Sequence, residues 1–208
     1  MVERFDRMVL QERVARIHQE DFCQAMGIPA FKKYQADGGP DFAKCRALID
    51  EYLSHQGSDV RTEWVKVLVL NHIIGNHDAH GKNFSIIHGR DIKMAPYYDL
   101  LSTMVYDGLE PIFAMSIGKA FKHENISAHS YKNFAQDMGF RPSKVADIMD
   151  SVIGKIHEEA SALLSEHEKK YGPSAIYFEL EKTIYANLQD LAEIRDEISE
   201  KSDPGMRM

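Results

Sequence analysis

Cysteine is nearly absent from this chain, tryptophan occurs once, and positive charge is outweighed. Two cysteines in 208 residues, Cys23 and Cys45, form no CxxC pair. That excludes a disulfide scaffold and a cysteine-built zinc site, and leaves two buried, reduced thiols of a cytosolic protein as the expectation. Lys and Arg number 25 against 32 Asp and Glu, a net charge of −7. An acidic chain is a poor non-specific phosphate binder, so direct nucleic-acid binding is not expected. No apolar run approaches the roughly 18–20 residues that span a bilayer. The longest, Trp64 to Gly75, is broken by Lys66, Asn71 and His72. The opening residues carry charges of both signs and no apolar h-region, which speaks against a signal peptide. The cytoplasm is the expected location, with no membrane association. Internal repeats and low-complexity linkers are also missing. What remains is ordinary for a globular domain, with 44% hydrophobic and 27% charged residues, enough to bury a core.

Helical periodicity dominates the chain. The opening Val2-Glu3-Arg4-Phe5-Asp6-Arg7 reads as a strand end or extended segment. Gln19 to Met26 predicts a short helix stopped by Gly27. Asp37-Gly38-Gly39-Pro40 is a turn, with Pro40 in the first turn of a helix running to about His55. Phe42, Cys45, Leu48, Ile49 and Leu53 mark that helix's apolar face. A second helix, about Asp59 to Ile74, is apolar nearly all round and is expected at the centre of the domain, with Trp64 in the core. Residues 84–88 and 92–94 then read as a hairpin about Gly89-Arg90-Asp91. Helices follow at about 129–138, 143–168 and 173–200, the last two as a packed pair. The run Glu193 to Lys201 reads as a solvated face, and Ser202 to Met208 as a loose tail. The fold expected is mostly α with one small β-hairpin.

The densest polar cluster is Asn76-His77-Asp78-Ala79-His80-Gly81-Lys82-Asn83, between the buried helix and the hairpin. Ala95-Pro96-Tyr97-Tyr98-Asp99 follows the hairpin. A hairpin returns the chain near its start, so Asp99 is expected close to Asn83, with Asp78 at the same end. Asn83 and Asp99 offer the hard oxygen donors that magnesium takes. Asp78, a short loop away, can accept the proton of an incoming hydroxyl. Protein kinases use the same logic: an Asp base, an Asn five positions on, and a second metal-binding Asp beyond a short hairpin. Lys82 can neutralise charge on a transferred phosphoryl group. The D-x-x-x-x-N spacing alone occurs often by chance. Joined to the hairpin and Asp99, it points to phosphoryl transfer.

Three other readings of the cluster stand beside this one. Gly75-Asn76-His77-Asp78 is also a metallophosphoesterase tetrapeptide, but the chain has no Gly-Asp dipeptide to complete a two-metal scaffold. His72, His77 and His80 offer a zinc set, although His72 lies on the preceding helix and need not face the same way. The plainest reading is a polar turn whose Asp and Asn satisfy backbone donors.

At this point the sequence resembles the HipA-like serine/threonine kinases of bacterial toxin–antitoxin systems. Val2-Glu3-Arg4-Phe5-Asp6-Arg7 is similar to the family's hinge strand. Arg16-Ile17-His18-Gln19-Glu20-Asp21-Phe22-Cys23-Gln24, Lys33-Tyr34 and Asp37-Gly38-Gly39-Pro40 resemble the block that follows. Asp78 to Ser85 resembles the catalytic loop, and Pro96-Tyr97-Tyr98-Asp99-Leu100-Leu101-Ser102 the metal-binding block. Phe113-Ala114-Met115-Ser116-Ile117-Gly118 is a looser match.

The resemblance implies a kinase-like C-terminal lobe over residues 1–200, with 201–208 as tail. It implies Asp78 as catalytic base, and Asn83 and Asp99 as magnesium ligands. His80, Gly81, Lys82 and Asn83 would lie along the phosphates of ATP. Tyr98 would border the nucleotide, with backbone groups of Glu3 and Phe5 at the adenine. It implies a protein substrate, aminoacyl-tRNA synthetases among those the family modifies, and a helix-turn-helix antitoxin partner.

In such kinases an N-terminal lobe with a phosphate-covering loop and a nucleotide-binding lysine precedes the hinge. Here no Gly-rich loop precedes Asp78, and the first lysine is Lys32. The expectation is a lobe that begins at the hinge and works with a separate N-lobe subunit. A truncated, inactive module that sequesters an antitoxin or a kinase substrate is the alternative. Because positioning supplies most of a kinase's catalysis, the pure chain with ATP and magnesium is expected to transfer phosphate weakly or not at all. Robust transfer to a protein substrate would overturn that expectation.

Overall fold

The computed structural model describes residues 4–11, 13–54 and 59–200. Among them the fold is mostly helical with small antiparallel sheets. The chain opens with a hairpin of β1 (Arg7–Leu10) and β2 (Arg13–Arg16), Arg7 opposite Arg16. Glu3 lies outside the described residues, and Phe5 sits in the turn just before β1. Asp6 ties down the start of the hairpin. Its carboxylate accepts from Arg4 and Arg7, and its carbonyl accepts from the Ile17 amide at 3.0 Å.

The expected helix at Gln19–Met26 is corrected by the structure. His18–Asp21 is a strand, β3, and only Phe22–Ala25, α1, is helical. Asp21 explains the boundary. Its side chain accepts from the Gln24 amide while the Gln24 side chain accepts from the Asp21 amide, a reciprocal cap that starts the helix at Phe22. Residues 18–21 instead fill their backbone hydrogen bonds from β4 (Ser85–His88), which lies far along the sequence. A local period cannot report such a partner.

Pro40 is a second correction. It lies outside α2 (Phe42–Leu53), whose N-cap is Asp41. The far end expected near His55 falls outside the described residues. The predicted apolar face holds, since Phe42, Cys45, Leu48, Ile49 and Leu53 are all buried. The all-round apolar helix is α3 (Asp59–Ile73). Its Trp64 is fully buried, with ring centroids 5.9 Å from Phe22, 5.9 Å from Phe42 and 5.5 Å from Phe84. Both cysteines are free and buried. Gly75 ends the helix at φ +70°, and a Cβ there would lie 2.7 Å from Met104 Sδ. A left-handed turn and a close neighbour together call for glycine.

The predicted hairpin is β4 with β5 (Lys93–Met94), paired Ile86 to Met94 and Ile87 to Lys93. It belongs to a three-stranded sheet in the order β3-β4-β5. A further hairpin, β6 (Ile112–Ile117) and β7 (Ala120–Lys122), was not expected. Phe113 through Ile117 are buried without a break, so the alternation that marks a half-buried strand is missing.

Three helices complete the domain: α4 (Ala128–Asp137), α5 (Pro142–Tyr171) and α6 (Ala175–Glu200). The last two form the expected antiparallel pair. Ser161 meets Tyr185 at 2.8 Å, and Arg195 pairs with Asp150. The 193–199 stretch is largely exposed, with Ile198 turned into the core. The proposed tail lies outside the described residues. Among the described residues, no helix is long and apolar enough to cross a membrane. Asn187 of α6, itself buried, donates to the carbonyls of His72 and Ile73 at 3.1 Å each. It thereby satisfies α3 carbonyls that have lost their helical partners and sets the height at which the next loop begins.

Candidate active site

That next loop holds the polar cluster. Asn76 is 2% exposed, and its side chain makes three hydrogen bonds. The amide nitrogen donates to Asn71 Oδ1 and to the Asp99 carbonyl, each at 3.0 Å. The amide oxygen accepts from the Asp78 backbone at 3.2 Å. One side chain therefore joins the end of α3, the loop and the segment after the hairpin. Asp99 needs this support, because its φ is +59°, a left-handed conformation that costs energy in a non-glycine residue.

The structure brings Asp78, Asn83 and Asp99 to one end of the β4–β5 hairpin. Asn83 is buried, its amide nitrogen donating to the Asp99 carboxylate and its oxygen accepting from the His80 amide at 3.2 Å. Asp78 is partly open, its side chain 43% exposed. It lines a cleft of about 510 Å³ with Tyr34, Thr103, Glu110, Phe113 and Phe121. One Asp78 oxygen accepts from the Tyr34 hydroxyl at 2.8 Å, and the other lies 4.0 Å from His80 Nε2. Burial and the adjacent Asp78 carboxylate raise the Tyr34 pKa, so the phenol stays a donor. Sequence pattern alone gives Tyr34 no role. It acts across 44 positions, and no spacing rule reaches that far. Gln35 holds this turn in place by a two-way bond with Ser116 of β6, at 2.8 and 3.0 Å.

His80, Gly81, Lys82 and Tyr98 surround the trio. His80 packs edge-on against Tyr34, ring centroids 5.4 Å apart, and burial lowers its pKa. Gly81 leaves no room for a side chain, since a Cβ would lie 2.5 Å from Pro40 Cγ and 3.0 Å from Cys23 Sγ. Lys82 is engaged by Asp21 at 2.6 Å, a pairing that spacing did not disclose. The Tyr98 hydroxyl donates to the Lys82 carbonyl and meets Ser85 Oγ, both at 2.7 Å. The Phe5 ring stacks on Tyr98 with centroids 5.7 Å apart.

The histidine trio weighed for zinc is not assembled. His72 and His77 join His123 instead, and His80 sits apart against Tyr34. His72 Nδ1 meets the Tyr131 hydroxyl at 2.8 Å, and His77 Nε2 meets His123 Nδ1 at 3.1 Å. Thr103 settles the His77 tautomer. Its hydroxyl donates to the Gly75 carbonyl at 2.9 Å, so it must accept from His77 Nδ1, 3.0 Å away. Nε2 of His77 is then the acceptor and His123 Nδ1 the donor. This neutral relay ties the loop to β6, to the segment around Thr103 and to the strand-to-helix link before α4. Burial lowers the pKa of all three rings, with His77 brought to about 4.

Comparison with known proteins follows the same outline. Residues 1–160 match the family model of the HipA-like C-terminal domain. Y4mE of Sinorhizobium fredii, a kinase by provisional name, is 38% identical over 177 residues, covering 84% of this chain and 42% of that protein. The serine/threonine-protein kinase toxin HipA of Shewanella oneidensis is 30% identical over 159 residues, covering 66% of this chain and 35% of that protein. A solved structure of HipA from Shewanella oneidensis with HipB and operator DNA superposes with a TM-score of 0.79. It is 24% identical, with 93% of this chain and 50% of that chain covered. The chain thus spans about two fifths of the length of the curated relatives it matches.

Two outcomes follow from the geometry. Asn76→Ala strands the Asp78 amide and the Asp99 carbonyl, and is expected to cost on the order of 2 kcal/mol or more in a denaturant titration. The buried histidines also give stability a pH dependence. Their folded pKa values lie below the ordinary 6.5, so unfolding takes up protons below that pH. Their contribution is complete above about pH 6.5 and is lost as pH falls towards about 4. Thermal melts should therefore drop across that window, and less steeply for His77→Gln.

Proposed function

The chain belongs to the HipA-like C-terminal domain family, and from that premise we propose that it is the catalytic lobe of a serine/threonine protein kinase. The observation that carries this reading is the direct contact of Asn83 with Asp99 beside the hairpin, with Asp78 tied to Asp99 through the Asn76 side chain. Residues 1–200 form the lobe in this reading.

Asp78 accepts the proton of an incoming serine or threonine hydroxyl, whose oxygen bonds to the γ-phosphorus of ATP as ADP departs. Tyr34 orients the carboxylate through one oxygen, and the half-exposed Asp78 lines the cleft from which a hydroxyl would approach. The Asp99 carboxylate adjoins the Asn83 carboxamide, which donates to it through nitrogen, and each side chain also carries the hard oxygen that magnesium takes. These two residues would hold the ion, which when bound neutralises charge on the phosphate oxygens. His80, Gly81, Lys82 and Asn83 lie along the phosphates, with the tight Gly81–Pro40 contact keeping the loop backbone close. Lys82 is poised by Asp21, so its charge is partly neutralised before ATP arrives. Phe5 and Tyr98 form an aromatic edge suited to the adenine; Glu3, which the resemblance also assigns to the adenine, lies outside the described residues.

The cleft beside Asp78 has the walls to take a substrate side chain. The acceptor is a protein hydroxyl, an aminoacyl-tRNA synthetase being one candidate through the family. A helix-turn-helix antitoxin is the partner in this reading, supported by the similar toxin–antitoxin HipA solved with HipB and operator DNA, and the cytoplasm is the location. Contact with DNA would run through that partner. The phosphate-covering loop and its lysine would come from an N-lobe, in the same polypeptide or a separate one.

Calorimetric titration of the chain with ATP, with and without magnesium, tests the reading. Wild type should bind more tightly when magnesium is present. Asp99→Ala should lose that difference, and Asp78→Asn should keep it. A magnesium effect that survives Asp99→Ala would remove this residue from the metal site.

A further inference from the structure

A second donor cluster lies at the other end of the β3–β4 ladder. His18 and His88 are directly opposite each other in the register, and their rings lie with centroids 4.8 Å apart. Glu20, two residues along β3, shares the face of His18. Its carboxylate oxygen comes within 2.8 Å of His88 Nε2. That nitrogen is itself buried and makes no hydrogen bond. One donor atom from each of the three residues lies within 4.8 Å of the other two.

We propose that His18, Glu20 and His88 form a binding site for a divalent transition-metal ion of the zinc type. Two imidazoles and a carboxylate are a recognised zinc set, with a fourth position left to water. Ligand atoms about 2.1 Å from a tetrahedral ion stand about 3.4 Å apart. The observed spread closes to that by side-chain rotation, for which exposed His18 is free. Tyr52 packs edge-on against the His88 ring at 6.4 Å and limits its swing, so one ligand is already oriented. The chemistry differs from that of the Asn83–Asp99 pair. Imidazole selects zinc, copper or nickel over magnesium, and three residues of ladder, roughly 10 Å, separate the two ends. A metal here would cross-link β3, which leads in from the opening hairpin, to β4, which leads out of the loop carrying Asn83.

The test needs no kinase activity and does not depend on the reading above. The chelator-treated chain is titrated with zinc by calorimetry and its thermal midpoint is followed. One equivalent of zinc should bind and raise the midpoint, and magnesium should not substitute. His18→Ala, Glu20→Gln and His88→Ala should each weaken binding by at least the roughly 10–100-fold that losing even an outer-shell partner costs a metal site. His18 is exposed, so its variant should fold even if His88→Ala does not. Zinc bound at wild-type affinity by His18→Ala and Glu20→Gln would overturn the proposal and assign the ion to other histidines. Absence of binding by the wild type would overturn it as well.

Discussion

A single buried carboxamide, that of Asn76, is the constraint on which the rest of the site depends. It sits where α3 has run out of helical partners, and its three hydrogen bonds are divided among the helix end, Asp78 and Asp99. Inside a protein an unpaired polar group is expensive, so each bond holds the others in place. Asp99 can therefore keep a left-handed backbone, and its carboxylate reaches Asn83. From the other side, Asn187 of α6 caps the end of α3 and so fixes where the loop begins.

The small sheets serve as rulers more than as core. β3 pairs with β4 in a register that sets Asp21 opposite Ser85 at one end and His18 opposite His88 at the other. Asp21 caps α1 and engages Lys82, so one residue couples a helix start to the loop. Behind this lies the aromatic cluster of Phe22, Phe42, Trp64 and Phe84, drawn from α1, α2, α3 and the residue just before β4. Burial of those rings provides the rigid floor on which the polar geometry rests. The two ends of the ladder carry different chemistry, hard oxygens at one and imidazole nitrogens at the other.

The match to the curated relatives covers most of this chain but only about two fifths of theirs. In the proposed reading, Asp78, the Asn83–Asp99 pair and the adjoining cleft are one part of a phosphoryl-transfer machine. Such a machine works by orientation, and orientation of the nucleotide needs surfaces on both sides of it.

Much of this was legible without coordinates. The apolar face of α2, the buried run of α3, the central Trp64, the hairpin and the pairing of α5 with α6 all follow from local periodicity and turn chemistry. The nearness of Asp99 to Asn83 follows from the hairpin, because a two-stranded return brings its ends together whatever surrounds it. Other features depend on residues far apart in the chain. Tyr34 on Asp78, Lys82 on Asp21, His123 on His77 and Asn187 on the α3 carbonyls are all non-local. β3 departs from the locally predicted helix because its hydrogen bonds are supplied by a strand more than sixty residues away, and β6 carries no strand signal because burial on both faces erases its alternation. The sequence by itself determined which chemical groups are present and which local elements carry them, since those depend on neighbours along the chain. Tertiary structure alone decided which groups meet, because that depends on long-range packing and on satisfying every buried polar atom.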